Sequence, residues 1–303
     1  VKAFKKQYDL KKIILDGLPK DIPMTGDKGY KLIDVKNGKV SMEDFVAQLS
    51  LKELEAISRG DYTMGSKLDA LGNAGAFGGV LPSLRAKGVP ACITTDGPSG
   101  IRLSACCSLM PIGTLLASTF DIDLVEALMT KESAEMADKG TDILLAPGMN
   151  IHRSPLCGRN FEYFSEDPYL TGKIAAAYVR GVQTGGQSAC PKHYACNNQE
   201  FNRNGNDSRL SERALREIYL KGFEICVKES APKNIMTSYN LMNGTMTSED
   251  RELLKGIVRE EWGYEGMFMT DWGGGIDAVA QMHAGNDLIM PGTDRQYMDI
   301  IEA

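Results

Sequence analysis

The sequence has little that would direct it to a membrane, a nucleic acid or a metal. No stretch approaches the roughly 20 consecutive apolar residues of a membrane-spanning helix, which excludes a helical span within these residues. The net charge is −6, so the basic footprint of a nucleic-acid binder is absent. Cys92, Cys106, Cys107, Cys157, Cys190, Cys196 and Cys226 are odd in number and lack CxxC spacing. That pattern argues against a disulfide framework and a zinc site. It suits small buried side chains in a reducing compartment. No signal-peptide pattern opens the chain, so a cytoplasmic location is the expectation. Neither a GxGxxG nor a Walker pattern follows an apolar run, and the glycine-rich residues 72–80 lack the Lys-Ser/Thr ending of a phosphate loop. No metal or organic cofactor is implied.

What is present is enough chain for a large core. The 303 residues fit one large domain or two small ones, and a single α/β barrel needs about 250. Residues 1–40 carry ten lysines and five acids, punctuated by Leu-Pro, Ile-Pro, Gly-Asp and Asn-Gly. They read as a connector that leans on a domain not contained in this chain, with Lys31–Val35 as a short extended piece. Ser41 and Ser50 each cap a helix, the second with Glu53 at the third position and Gly60 as its stop.

From residue 83 a rhythm sets in. Six short apolar runs, at 91–95, 142–146, 188–190, 234–238, 267–270 and 287–290, alternate with helical patterns near 121–139, 167–184, 211–229, 248–262 and 275–283. One or two further strands fit between residues 70 and 120. Strands alternating with helices predict a parallel sheet buried on both faces. Without a nucleotide motif, a (β/α)8 TIM-type barrel over 41–303, irregular or partly collapsed and open to truncation at its C-terminal end, is favoured over a doubly wound sheet.

Barrel chemistry gathers at the C-terminal ends of the strands. Asp96 follows the first run, His152, Arg153 and Arg159 lie beyond the second, and Lys192 and His193 follow the third. Tyr239 and Asn240 follow the fourth, and Asp271 and Trp272 the fifth. A lone aspartate at a strand end is often only a helix N-cap. Five strand ends carrying ionisable or aromatic groups suit a polyhydroxylated ligand, whose hydroxyls need donors and acceptors and whose ring face stacks on an aromatic. Cations near Asp271 would keep it ionised, as a nucleophile requires. Glu162 reads as an ion-pair partner of Arg159, and Glu200 as a group behind the site wall.

DGPSGIR at 96–102, GRNFEYFSEDPYLTG at 158–172, KHYACNNQEFNRN at 192–204, MTSYN at 236–240 and MTDWGG at 269–274 together resemble glycoside hydrolase family 3 over roughly residues 41–303. The resemblance implies a retaining exo-β-glycosidase with Asp271 as nucleophile. It implies a sugar subsite of Asp96, Arg102, Arg159, Lys192, His193, Arg203 and Tyr239, with Trp272 as part of its wall. The KHYACNNQE stretch differs from the KHFPGHG-like loop of the family's N-acetylhexosaminidases and is similar to the β-glucosidase and β-xylosidase branch. Retaining hydrolysis needs a second carboxyl group as acid/base. In this branch the resemblance assigns it to a second α/β domain, on the same protein or another chain. The connector at 1–40 followed by the barrel is similar to members with reversed domain order, in which the barrel comes last. The rivals are a Schiff-base lyase using Lys192 and a non-catalytic sugar-binding module.

Overall fold

The computed structural model describes residues 21–302, together with Asp9, Lys12 and Leu15. Most of the first half of the 1–40 connector therefore lies outside the described residues.

Two serines start helices as their side chains dictate. Ser41 accepts the Asp44 N–H ahead of Met42–Ala47. Ser50 and Glu53 form a reciprocal capping box ahead of Leu51–Ile57, which gives two otherwise unpaired donors a partner. Residues 31–35, read from sequence as extended, instead enter the helix Leu32–Lys36. The Asp34 carboxylate accepts the Lys31 N–H at 3.0 Å, a local bond that outweighs the β-branched Ile33 and Val35. Tyr30, Leu32 and Val35 pack on a cluster of Phe45, Leu49, Ala56 and Leu84. The described part of the connector thus leans on this chain's own helices. Beneath it the Lys87 ammonium sits 2.9 Å from both Glu53 and Asp27. Burial pushes the Glu53 carboxyl up, but the bonds from Lys87 and from the Ser50 N–H outweigh it and bring it to about 2.

Nine strands occur among the described residues: β1 Gly75–Gly78, β2 Ala91–Asp96, β3 Ile143–Leu145, β4 Ser188–Ala189, β5 Asp207–Ser208, β6 Asn234–Met236, β7 Leu241–Met242, β8 Thr245–Met246 and β9 Met267–Met269. β2, β3 and β4 are parallel, and β1 adds to β2 in the antiparallel sense. β6 pairs parallel with β9, and β5, β7 and β8 form a small separate sheet. The glycine-rich 72–80 segment is thus a buried strand and its flanks, not a phosphate loop. The fold is TIM-barrel-like α/β, but its ladders are three sheets rather than one. Single bridges join Tyr194 to Thr237, Met269 to Leu288, Arg59 to Ile289 and Gly60 to Phe77. Pro147, Pro191 and Pro291 stand just beyond β3, β4 and the 288–290 run; each lacks an N–H, which cuts the regular ladder short.

Helices cover this sheet. Ile122–Lys139, Pro168–Gln183 and Lys221–Ser230 bury Met129, Met136, Ile174, Val179, Phe223 and Val227 in the main core. Fully burying each such side chain contributes roughly 1.5–3 kcal/mol. Gly172 lets the last two helices approach, because a Cβ there would lie 2.7 Å from Ile225 Cβ.

Candidate active site

Asp96, Lys192, His193, Tyr239, Asp271 and Trp272 stand at or within four residues of the end of a strand, whereas Arg159 and Arg203 come from the long loops after β3 and β4. β2 ends on Asp96, and the chain then turns through Gly97 at φ +135°, where an added Cβ would lie 1.6 Å from the Gly100 carbonyl oxygen. Only glycine permits that turn. After β9, the Thr270 N–H donates to the Leu288 carbonyl at 3.0 Å and the Thr270 hydroxyl accepts the Met290 N–H at 2.8 Å. These bonds deliver Asp271. After β4, the Lys192 N–H donates to the Pro147 carbonyl at 2.9 Å and the Tyr194 N–H to the Met236 carbonyl at 2.8 Å, holding the Lys192-His193 pair between its neighbours.

These residues meet in a cavity of about 250 Å³. It is lined by Asp96, Arg159, Lys192, His193, Arg203, Tyr239, Asp271 and Trp272, with Met64, Ala74, Leu145 and Met236 supplying apolar wall. Asp271 is buried and its Oδ1 accepts the Trp272 N–H at 2.8 Å. His193 Nε2 lies 3.7 Å from its Oδ2, just beyond a direct hydrogen bond. Lys192 Nζ pairs with Asp96 Oδ1 at 3.1 Å. The Tyr239 hydroxyl donates to the Trp272 carbonyl at 3.0 Å, and the Arg203 guanidinium lies 4.3 Å from the centroid of the Tyr239 ring. Arg159 is ion-paired with Glu162. The Trp272 indole N–H donates to the Ala74 carbonyl at 2.9 Å, which fixes the plane of the ring.

The charges are tuned by this enclosure. Burial raises the Asp271 carboxyl above its ordinary value; Lys192, the Trp272 N–H, Arg159 and Tyr239 oppose the rise without cancelling it. Asp96 feels the same burial, but Lys192, Arg102 and Arg159 outweigh it and hold that carboxyl down. Burial, reinforced by Arg159, Lys192 and Arg203, depresses His193 well below the usual imidazole range, so its ring is neutral. Burial and the Asp271 charge raise the Tyr239 phenol, which stays a donor. The arrangement offers a buried carboxylate, Asp271, and an ion-paired one, Asp96, in a polar pocket with an aromatic wall. Among the described residues no group of three His, Cys, Asp or Glu is placed to hold a metal ion.

Eight of the nine residues picked from sequence line the cavity. The ninth, Arg102, does not. The glycine turn carries it outward, its side chain is 70% exposed, and it reaches only the outer oxygen of Asp96 at 3.3 Å. Sequence reasoning gave no role to Asn150, Tyr163 and Asn197, which are buried behind His193. Tyr163 sits inside the FEYF stretch, but a tyrosine among aromatics reads as core by default. His152 and His283 are not among the cavity-lining residues.

A TIM-barrel-like α/β domain with a carboxylate-centred polar cavity at its strand ends has the form of a carbohydrate-processing site. Residues 80–296 match the family model described as the glycosyl hydrolase family 3 N terminal domain, and the chain belongs to that family. It is 46% identical over 285 residues to a beta-glucosidase of Ruminococcus albus, covering 90% of this chain and 30% of the relative. It is 45% identical over 286 residues to beta-glucosidase A of Butyrivibrio fibrisolvens, covering 92% and 33%. The solved beta-glucosidase from Paenibacillus barengoltzii is similar with a TM-score of 0.89 and 50% identity, over 95% of this chain and 33% of that one. Beta-glucosidase 3B from Thermotoga neapolitana in complex with glucose gives a TM-score of 0.78 at 44% identity, over 85% and 38%. The chain spans about a third of the length of the relatives it matches.

Proposed function

We propose that this chain is the barrel part of a retaining exo-β-glycosidase that releases terminal β-D-glucosyl residues, with β-xylosyl as the nearest alternative. The observation that carries the reading is Asp271, buried at the end of β9 and facing a cavity of about 250 Å³ lined by hydrogen-bonding groups. That volume suits one sugar ring. The names of the relatives, beta-glucosidases throughout, support glucose as the substrate.

In this reading an oxygen of Asp271 attacks the anomeric carbon as the aglycone oxygen leaves. A glycosyl-enzyme ester forms, and water then displaces the carboxylate. Asp96, Lys192, Arg159, His193, Arg203 and Tyr239 hold the hydroxyls and Trp272 stacks on the ring. The leaving oxygen needs a proton. Among the described residues the carboxylates lining the cavity are Asp96 and Asp271, and Asp96 is held ionised by Lys192. We therefore assign the acid/base to a carboxyl group outside this chain, in a second α/β domain of the full-length protein or in another chain. The coverage of about a third of each relative leaves room for it. We further read the fold as an irregular (β/α)8 barrel. The bridges at 59–60, 194 with 237, and 269 with 288 support it by linking eight segments in cyclic order. A cytoplasmic location belongs to the same proposal, and cell fractionation tests it.

Pre-steady-state hydrolysis of a dinitrophenyl β-glucoside by the intact protein tests the chemistry. A burst of phenolate that vanishes in Asp271→Ala supports it; binding without turnover favours the sugar-binding module. The Schiff-base reading is disfavoured because the Lys192 Nζ is ion-paired rather than free. Borohydride trapping of a carbonyl substrate on Lys192 would revive it.

A further inference from the structure

From Arg203 in the cavity wall a row of polar side chains runs through Glu200 into the buried Asn197 and Tyr163 and ends on His193. The Arg203 Nη1 donates to Glu200 Oε2 at 3.0 Å. The Asn197 Nδ2 donates to Glu200 Oε1 at 3.1 Å and to the Tyr163 hydroxyl at 3.4 Å. The Tyr163 hydroxyl lies 3.2 Å from His193 Nδ1. On the other side Asn150 clasps the His193 backbone, its Oδ1 accepting the His193 N–H at 2.9 Å and its Nδ2 donating to the His193 carbonyl at 2.9 Å. The same Oδ1 lies 3.3 Å from Nδ1.

Two tautomers of the neutral ring compete, and counting donors decides between them. The clasp fixes the orientation of the Asn150 amide, so the atom facing Nδ1 is an acceptor. The Glu200 carboxylate fixes the orientation of the Asn197 amide, so Tyr163 receives a hydrogen bond there and cannot send its own proton back. If Nδ1 carried the proton it would donate to Asn150, and the Tyr163 hydrogen would be buried without an acceptor among the described residues. A buried orphan donor costs free energy. The Nε2 lone pair would also face the Asp271 carboxylate. If Nδ1 is bare, Tyr163 donates to it, Asn150 remains satisfied by the backbone N–H, and an Nε2–H points toward the Asp271 carboxylate.

We propose that Tyr163 is a positioning residue that sets the tautomer of His193, donating to Nδ1 so that the ring presents Nε2–H to the cavity beside Asp271. The role of that donor, a hydrogen bond to a bound sugar hydroxyl or to the carboxylate between turnovers, rests on the glycosidase reading. The tautomer does not.

Neutron diffraction from deuterium-exchanged crystals of the intact protein reads the proton directly. The expected map has deuterium on His193 Nε2, none on Nδ1, and the Tyr163 deuteron aimed at Nδ1. In Tyr163→Phe the deuteron is expected to move to Nδ1, with kcat/KM for an aryl β-glucoside falling about tenfold. In Asn150→Ala it is expected to stay on Nε2. Deuterium on Nδ1 in the wild type, or an unmoved proton in Tyr163→Phe, or a moved one in Asn150→Ala, overturns the proposal. Should Tyr163→Phe fail to fold, the wild-type map alone decides. A protein with the Nε2 deuteron that cleaves no β-glucoside would leave the tautomer standing and overturn the glycosidase reading instead.

Discussion

The ammonium of Lys192 lies 3.1 Å from Oδ1 of Asp96, two residues 96 positions apart in the chain. Their contact ties the end of β2 to the chain beyond β4, and it sets beside Asp96 a cation whose charge also reaches Asp271. Lys192 lowers both Asp96 and Asp271. The pair thus links architecture to charge, and several outcomes depend on it.

Lys192→Met should shift the acid limb of the pH profile upward. On the proposed mechanism activity requires ionised Asp271 and is lost as pH falls through its pKa. Burial already raises that pKa, and Lys192 is the foremost group opposing the rise. Without it the loss of kcat/KM begins at a higher pH than in the wild type. A profile for an activated aryl glucoside with an unmoved acid limb would contradict this assignment.

Asp271→Asn should reduce turnover by on the order of 10⁴-fold or more, as loss of a covalent nucleophile does. Sugar binding should survive, because the remaining cavity residues are untouched. Labelling of the wild type by an activated 2-fluoro sugar, followed by peptide mass spectrometry, should place the adduct on Asp271 and nowhere else.

Trp272→Phe keeps an aromatic face but loses the indole N–H that reaches the Ala74 carbonyl at 2.9 Å. Stability should fall by about 1 kcal/mol, the typical worth of one hydrogen bond. The freed ring should raise KM more than it lowers kcat, and steady-state kinetics separates the two.

Glu132 gives a pH signature far from the site. It is fully buried on the helix Ile122–Lys139, and burial, followed by the nearby Glu135, raises its carboxyl to about 8. Folded protein then holds a proton that unfolded protein releases near 4.5. Stability should decline as pH rises from about 4.5 to about 8 and stay level above that, by on the order of a few kcal/mol. Glu132→Gln should remove the decline, which thermal unfolding across that range would register.

The strand ends were legible in the sequence because apolar runs and the polar residues behind them follow one another along the chain. Asp96, Lys192, His193, Tyr239 and Asp271 each stand directly after such a run. The helix at Leu32–Lys36 was not legible, since its β-branched residues speak for extension and only the Asp34 bond to the Lys31 N–H speaks against it. Arg102 was equally illegible in its placement. Its side chain is 70% exposed and meets the cavity only through Asp96 Oδ2 at 3.3 Å, a position set by tertiary contacts rather than by its motif.

By itself the sequence determined the α/β class, the alternation of strands with helices and the types of group the strand ends carry, because hydrophobic period and capping are local properties. It also carried enough family motif for the carboxylate of Asp271 to be singled out. The tertiary structure alone decided which side chains share one cavity, that β1 runs against β2, and that Asp96 is held below its usual value while Asp271 is raised above it. Those outcomes depend on distances and burial between residues far apart in the chain, and electrostatic tuning depends on both.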